Sequence, residues 1–365
     1  MTFINTSEIL GDSLEDCIHK HNDTNTIWVL ESAIKGYLYS KKSIAIVTIG
    51  MPLIFLIGCL GNALTILVLC TRKMRSATNC FLINLAIVDI LFLSSVVPPK
   101  FISYLLAPTP FQYDFTVLGG KEWVCKLIRF VPRFTQNMSC ILILVITSER
   151  YMAICCPLRC RNYHTHAVAA RVSCITWLMT LVYSLPHLCY AVVTRHHMCW
   201  PSSYNVTILP QSVLMCKSCE AERCYTINLF GKIDDVILLC VAPVLSILYV
   251  LMFLKLRSFA RTFRRISANG PNRANRVSAR VKKRLLFMLA GTVVTYIACV
   301  GPFRMLDLMR LHRYEMPKDT YNTVLGICRM LLYLNSMINP FIYSIFNKTM
   351  RLAYLNSLKC HRRGY

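Results

Sequence analysis

Long apolar runs, separated by shorter polar connections, make up most of the chain. Seven runs reach the roughly 20 residues that an α-helix needs to cross a bilayer core about 30 Å thick. They lie near residues 43–70, 79–106, 124–154, 168–193, 233–256, 283–309 and 321–346. The pattern predicts an all-α membrane protein built as a seven-transmembrane helix bundle.

Composition agrees with this prediction. The 365 residues are 55% hydrophobic and 16% charged, whereas soluble globular chains carry about 25% charged residues. The formal net charge of +24 would suggest a nucleic-acid partner for a soluble chain. Here the basic residues lie between and beyond the apolar runs, so we expect no nucleic-acid partner.

Basic residues concentrate on one side of the predicted membrane. The connection at residues 254–284 is rich in Arg and contains no acid. Further basic residues follow the first and third runs and recur in the C-terminal tail: Arg72, Lys73, Arg75, Arg159, Arg161, Arg171, Lys348, Arg351, Lys359, Arg362 and Arg363. Cytoplasmic connections carry the excess of Lys and Arg, which predicts a multi-pass plasma-membrane protein with its N-terminus outside. The chain then divides into an extracellular tail (1–42), the bundle (43–346) and a cytoplasmic amphipathic helix and tail (347–365).

Glycosylation sequons fit this topology. Asn5, Asn22 and Asn205 begin N-x-S/T sequences on the predicted outside, and we predict glycans there. Similar sequences at Asn137 and Asn347 fall within a run and on the inside. Each sequon is therefore weak evidence when taken alone.

The cysteines of the predicted outside lie in oxidising surroundings, where disulfides persist. They are Cys17, Cys125, Cys199, Cys216, Cys219 and Cys224. Cys125, at the outer end of the third run, is expected to bridge to a cysteine in the loop before the fifth. Cys224 is closest to the fifth run and is the first choice, with Cys219 second. Cys216-Lys-Ser-Cys219 resembles a metal or redox pair, but no second pair or nearby His completes a site.

The stretch ITSERYMAICCPL, residues 146–158, has an adjacent acid and base where the third apolar run meets the cytoplasm. A charged residue in a membrane span needs a partner or water. Taken alone, Glu149-Arg150-Tyr151 is best explained as a helix end with a locally paired arginine.

Other motifs accompany this stretch in a defined order. They are Gly61-Asn62, Leu85-Ala-Ile-Val-Asp89, Cys125, Pro157-Leu158, Trp177, Pro186, Pro243, Cys299-Val-Gly-Pro302 and Asn339-Pro-Phe-Ile-Tyr343. The whole set resembles the rhodopsin-like (class A) G-protein-coupled receptors across every span. The resemblance implies a heterotrimeric G protein as partner, contacted through Glu149, Arg150, Tyr151, Pro157 and Leu158.

Two other classes fit the sequence less well. A seven-span transporter or channel is expected to show an internal repeat or pairs of broken helices, and neither is visible. An enzyme would need a nucleophile, a base and an orienting group, and the predicted spans supply no such set.

Polar residues within the spans suggest an ion site. Asp89 lies near mid-membrane, where a charge costs at least about 2.5 to 3.5 kcal/mol on insertion scales. Its expected companions come from one face of the seventh helix and from the third run: Asn335, Ser336, Asn339 and Ser139. The resemblance implies that they hold an allosteric sodium ion, and a water-filled hydrogen-bond network is the alternative. We expect no other cofactor.

Activation is predicted to involve two prolines within spans. Pro302 and Pro340 remove backbone hydrogen bonds and kink their helices, and Asn339 and Tyr343 accompany Pro340 in the predicted switch.

The chain also departs from the family pattern. Val300 stands where Trp is usual, Tyr296 replaces a usual Phe, Leu251 replaces a usual Tyr, and Lys282 cannot form an inactive-state salt bridge to Arg150. Val300 and Tyr296 change the usual toggle step, and Leu251 weakens a contact to Arg150 in the active state. The missing salt bridge at Lys282 predicts raised basal activity.

The outer parts of the spans suggest the ligand class. Residues 130–137 lack the Asp of amine receptors. Residues 328–340 and Pro302-Phe303-Arg304 are similar to the thyrotropin-releasing-hormone, ghrelin and neuromedin U group of neuropeptide receptors. The predicted ligand-binding residues are Asn137, Arg304 and Arg329, which match binding positions of that group, together with Phe303 and Arg133, the latter without such a match.

Two alternatives concern this predicted pocket. A lipid or small acidic ligand is the second choice, because arginine-lined pockets also bind carboxylates. For Arg329, the alternative to ligand binding is a salt bridge to Asp307.

The cytoplasmic tail suggests contact with lipid. Cys360 follows the amphipathic segment 347–358 and is a candidate palmitoylation site; an unmodified thiol is the alternative. The basic connection at 254–284 is expected to attract anionic membrane lipid at about 1 kcal/mol per residue.

Overall fold

The structure is a computed structural model. It describes residues 26–28, 41–71, 74–106, 118–156, 165–189, 191–199, 211–218, 225–266, 273–311, 318–346 and 348–360. The predicted glycosylation sites Asn5, Asn22 and Asn205, and the predicted contacts Pro157 and Leu158, lie outside these ranges. The side chains of Lys282 and Cys360 are likewise outside the description.

Seven helices of the described ranges are long and apolar enough to cross a membrane. They are α1 (Lys41–Leu69), α2 (Ala77–Leu106), α3 (Glu122–Cys155), α4 (His166–Cys189), α5 (Tyr225–Ile266), α6 (Arg273–Leu311) and α7 (Lys318–Phe346). A shorter helix, α8 (Lys348–Cys360), follows α7. The predicted seven-span bundle is confirmed.

The bundle places polar residues inside and apolar residues outside. Leu60 and Ile345 are 69% and 68% exposed, whereas Asn62, Asp89 and Asn339 are buried. Apolar side chains gain little from leaving lipid, so helix contacts in a membrane rely on close packing and interhelical hydrogen bonds. Polar residues at the contacts therefore mark how the helices are joined.

Two asparagines link helices that are distant in sequence. Asn62 Nδ2 of α1 donates to the carbonyl of Gly58, 2.9 Å away, and to that of Ser336 on α7, also 2.9 Å away. Asn84 Oδ1 of α2 accepts from Trp177 Nε1 of α4 at 2.8 Å. These bonds explain why polar residues persist within apolar runs.

Gly61 allows α1 to approach α7 closely. A Cβ added at Gly61 would lie 3.1 Å from Cγ of Pro340, a rigid ring within α7. The glycine therefore permits α1 to pack directly against one of the predicted switch residues.

Three strands form a small sheet on the outer side: β1 (Thr26–Trp28), β2 (Ala191–Cys199) and β3 (Ser212–Ser218). β2 lies in the middle, parallel to β1 and antiparallel to β3. The fourth apolar run was expected to remain helical to Val193, but the helix ends at Cys189. The β-branched residues Val192 and Val193 favour an extended strand.

One outer disulfide joins Cys125 to Cys216, with Cα atoms 5.6 Å apart. The predictions of Cys224 and Cys219 as partners of Cys125 are wrong. The β2–β3 pairing places Cys216 opposite Val193, next to the outer end of α3. Proximity along the chain to α5 does not supply the short Cα separation that a disulfide requires.

α8 packs back onto α1. Met350 and Tyr354 are buried, while Arg351 and Leu355 are exposed. The hydroxyls of Tyr354 and Thr65 lie 2.9 Å apart and share a hydrogen bond. The helix therefore has a fixed inner face and an exposed outer one.

Candidate functional site

The cytoplasmic end of α3 holds Arg150 in a local ion pair. Its guanidinium donates to both carboxylate oxygens of Glu149 and also contacts the Thr78 hydroxyl of α2. Thr78 Oγ1 in turn donates to Glu149 Oε2 at 3.3 Å. Arg150 is thus held by its own helix and by α2 in this structure.

A tyrosine of α5 lies close to this ion pair. Tyr249 hydrogen-bonds to Thr147 and is near enough to Arg150 to interact electrostatically. Leu251, the residue that replaces the usual family tyrosine, is 44% exposed. The sequence showed that the usual tyrosine is replaced by Leu251, but it did not show that the hydroxyl of Tyr249 lies near Arg150.

A polar group occupies the middle of the bundle, as the sequence indicated. Asn339 Nδ2 donates to Asp89 Oδ2 at 2.7 Å. Three buried oxygens, Asp89 Oδ1, Ser139 Oγ and Asn339 Oδ1, have no hydrogen-bond partner within the part of the chain that is described. Buried oxygens without partners are costly unless water or an ion completes them.

A small cavity borders this group. It measures about 20 Å³, enough for about one water molecule or ion. Its walls include Asp89, Ser139, Asn335 and Ser336. One carboxylate with several neutral oxygens is a donor set suited to a hard cation such as sodium, so these residues fit the ion that the sequence suggested.

The predicted switch residues lie on α6 and α7. Tyr343 is fully buried, and its hydroxyl has no hydrogen-bond partner among the residues described. Pro302 and Pro340 both lie within their helices. Val300 and Tyr296, the departures from the family pattern, line the cavity itself.

The outer half of the bundle contains a network of charges that is buried at Arg304 and Asp234 and partly exposed at Arg133 and Asp235. Arg304 of α6 is 1% exposed. Its guanidinium donates to the Asp235 carboxylate of α5 and to Gln136 Oε1 of α3. Arg133 of α3 donates to the same Asp235 oxygen at 2.5 Å, so two arginines from two helices share one carboxylate from a third.

The neighbouring acid extends this network to α4. Asp234 lies 3.7 Å from Arg133 Nη1 and 3.4 Å from His187 Nε2, and it accepts from the Tyr183 hydroxyl at 2.8 Å. Neither aspartate was predicted as a site residue, although two adjacent acids inside an apolar run are a signal of function. Four helices therefore converge on Asp234 and Asp235.

The structure brings together only part of the predicted ligand-binding set. Arg133 and Arg304 meet at Asp235, and the Arg304 guanidinium carbon lies 5.8 Å from the centre of the Phe303 ring. Asn137 points elsewhere: it is buried, and its amide nitrogen lies 3.4 Å from the Ser184 hydroxyl of α4.

Arg329 lies apart from this network, on α7. It is close enough to Lys100 of α2, a like charge, for the two to repel each other, and its charge also acts on Tyr333. Asp307 instead acts on Arg133 and Arg304.

Seven spans, an outer disulfide at α3, an arginine at its inner end and a polar group between them define a seven-helix membrane receptor. Residues 61–343 match the model of the 7 transmembrane receptor (rhodopsin family). The chain belongs to this family. It is a receptor rather than an enzyme, of a class that acts at the plasma membrane.

Several known receptors resemble the chain over most of its length. It is 27% identical over 332 residues to the allatostatin-A receptor of Bombyx mori, covering 89% of the chain and 82% of that receptor. The galanin receptor 2b of Danio rerio is 25% identical, with 93% and 82% covered. The somatostatin receptor type 5 of Rattus norvegicus is 25% identical, with 86% and 79% covered.

Proposed function

We propose that this receptor binds an extracellular neuropeptide and in response activates a heterotrimeric G protein. Family membership supports the coupling, and the names of its relatives, receptors for allatostatin, galanin and somatostatin, support a peptide ligand. The Arg133–Asp235–Arg304 group, with Arg304 buried and the other two partly exposed, is the single structural observation that carries the proposal.

This group suits a peptide because it offers both donors and acceptors. Guanidinium groups present planar, bidentate donors to carbonyl, amide or carboxylate oxygens. Asp235 accepts hydrogen bonds from two arginines at once. A peptide oxygen can therefore take over the donor of one arginine while the other arginine stays paired with the Asp235 carboxylate. Binding therefore rearranges the links among α3, α5 and α6.

At finer resolution, we place the receptor near the thyrotropin-releasing-hormone, ghrelin and neuromedin U group. The support comes from Asn137, Arg304 and Arg329, together with Pro302-Phe303. In this proposal Arg304 and Arg133 act at the α5–α6 side of the pocket, and Arg329 acts from α7 beside Lys100. A ligand reaching both sides would span the pocket.

Signal transfer in this proposal runs from Arg304 down α6 and α7. Pro302, Asn339, Pro340 and Tyr343 permit the inner halves of these helices to shift. Arg150 then leaves Glu149 and faces the G protein, alongside Tyr151, Pro157 and Leu158. A sodium ion held by Asp89, Ser139, Asn335, Ser336 and Asn339 would favour the resting arrangement, because a ligand of one state opposes a ligand of the other.

A ligand screen tests this function. Cells expressing the receptor are exposed to amidated and free-acid neuropeptides, with calcium and cyclic AMP measured in parallel. The Arg150→Ala variant at equal surface level is the control. Second-messenger responses to a peptide in the wild type, absent in the control, support the proposal. Responses only to lipids or small acids, or ion flux without a G protein, contradict it.

A further inference from the structure

Cys199, at the end of β2, belongs to a second outer disulfide. It is disulfide-bonded and buried, while Cys125 and Cys216 are bonded to each other. Its partner lies outside the described residues. Of the cysteines found there, those on the extracellular side are Cys17, Cys219 and Cys224.

The strand register excludes Cys219. β3 ends at Ser218, which pairs with Ala191 at the opposite end of β2 from Cys199. Eight residues of strand separate Ala191 from Cys199, or about 27 Å at roughly 3.4 Å per residue. A disulfide allows at most about 7 Å between Cα atoms, and Cys219 is one residue beyond Ser218.

The position of α5 argues against Cys224, which directly precedes that helix. The Phe230 ring lies 5.4 Å from the His187 ring, four residues before β2 begins. The outer end of α5 is therefore near the Ala191 end of β2. Six residues separate Ser218 from Cys224, so even a fully extended linker of about 22 Å would have to run back along the whole hairpin and then return to α5.

The N-terminal tail, in contrast, already reaches the Cys199 end. β1 pairs with β2 so that Trp28 lies opposite Cys199 and Thr26 opposite His197, and neighbouring strands are about 4.8 Å apart. Cys17 precedes Thr26 by nine residues. This length is ample for the chain to turn back and cover the two strand positions from His197 to Cys199. This leaves Cys17 as the cysteine whose chain connection fits the geometry.

We propose that Cys17 and Cys199 form a second extracellular disulfide that links the N-terminal tail to the outer hairpin. The hairpin is then held at both ends, through Cys216 to α3 and through Cys199 to the tail.

Protease release tests this bond in the full-length receptor. An epitope tag is placed at the N-terminus, and the recognition sequence of a site-specific protease is inserted between Lys20 and His21. After cleavage in membranes, the tag should remain on the receptor without reductant and be released, by at least tenfold, after reductant is added. Cys17→Ser and Cys199→Ser should each release the tag without reductant, and Cys224→Ser should retain it.

Release of the tag from the wild type without reductant would overturn the proposal, as would retention in Cys199→Ser. A second measurement does not depend on variants that fold poorly. Mass spectrometry of non-reduced peptides from the wild type should find residues 17 and 199 in one linked peptide. A link from Cys199 to Cys219 or Cys224 would disprove the assignment.

Discussion

At the cytoplasmic end of α3, Arg150 pairs with the glutamate that precedes it in the chain, whereas in the outer half Arg133 and Arg304 share Asp235 from another helix. The inner pair can separate while both residues stay on one helix. The outer pairs cannot separate without altering the contacts among three helices. The same residue type thus suits release at one end of the bundle and cross-linking at the other.

The inner arginine gives the sharpest test of this contrast. Arg150→Ala should abolish G-protein signalling, because the variant lacks the cation proposed to face the G protein, while surface expression and agonist binding stay near wild type. Calcium and cyclic AMP responses at matched surface levels measure the effect. Arg171→Ala, an exposed arginine at the cytoplasmic end of α4, is the matched control and should signal normally. Equal signalling by both variants would refute the role of Arg150.

Removal of the shared outer carboxylate should instead destabilise the receptor. Asp235→Asn leaves the buried Arg304 guanidinium without its carboxylate and removes the closer of the two carboxylates of Arg133, and breaking a buried pair costs about 3 to 5 kcal/mol. Surface expression and the thermal midpoint of detergent-purified receptor should fall. Glu122→Gln, which breaks the exposed pair with Lys126 at 2.7 Å, should leave stability close to that of the wild type, because water and salt screen exposed ion pairs.

A double variant separates electrostatics from packing at this site. Adding Arg304→Met to Asp235→Asn removes the buried cation that has lost its carboxylate, so part of the lost stability should return. A double variant no more stable than Asp235→Asn would mean that the outer pairs do not act as a cross-link.

Arg329 tests whether a third outer arginine serves the ligand. Arg329→Lys keeps the charge but loses the planar donors, so affinity for the peptide found in the screen should fall by roughly 1.5 to 3 kcal/mol, with normal surface expression. Competition binding measures the loss. If Arg329 were structural, Asp307→Asn would reproduce its phenotype and both variants would express poorly. Unchanged agonist potency in Arg329→Ala would exclude the ligand role.

The middle of the bundle should respond to sodium. If Asp89 and its neighbours hold the ion in the resting state, added sodium should lower agonist affinity by the coupling energy of about 1 to 3 kcal/mol. Asp89→Asn should remove this dependence. Potassium at equal ionic strength is the control, and a sodium effect that persists in the variant would leave only a structural role for Asp89.

Features that depend on neighbouring residues could be predicted from the sequence. The seven spans follow from local hydropathy, and Glu149-Arg150 are adjacent. Asn335, Ser336 and Asn339 were placed on one helix face by their spacing alone. Predicting that they lie near Asp89 required the family resemblance, because Asp89 and these residues are far apart in the chain.

Features that depend on packing between distant segments were missed. The pairing of Cys125 with Cys216 depends on a hairpin register that apolar periodicity does not encode. Asp234 and Asp235 were visible as acids within an apolar run, but their partners come from α3, α4 and α6.

The hydroxyl pair between Thr65 and Tyr354 has a mechanical consequence. α8 follows α7 in the chain but is hydrogen-bonded to α1. When the inner half of α7 moves, α8 is therefore expected to stay with α1. Movement of the inner half of α7 must be absorbed between Phe346 and Lys348, or it must break the hydroxyl pair. The distance from a probe on α8 to the inner end of α1 would therefore stay constant. The distance from the same probe to the inner half of α7 would change and would measure the displacement of α7.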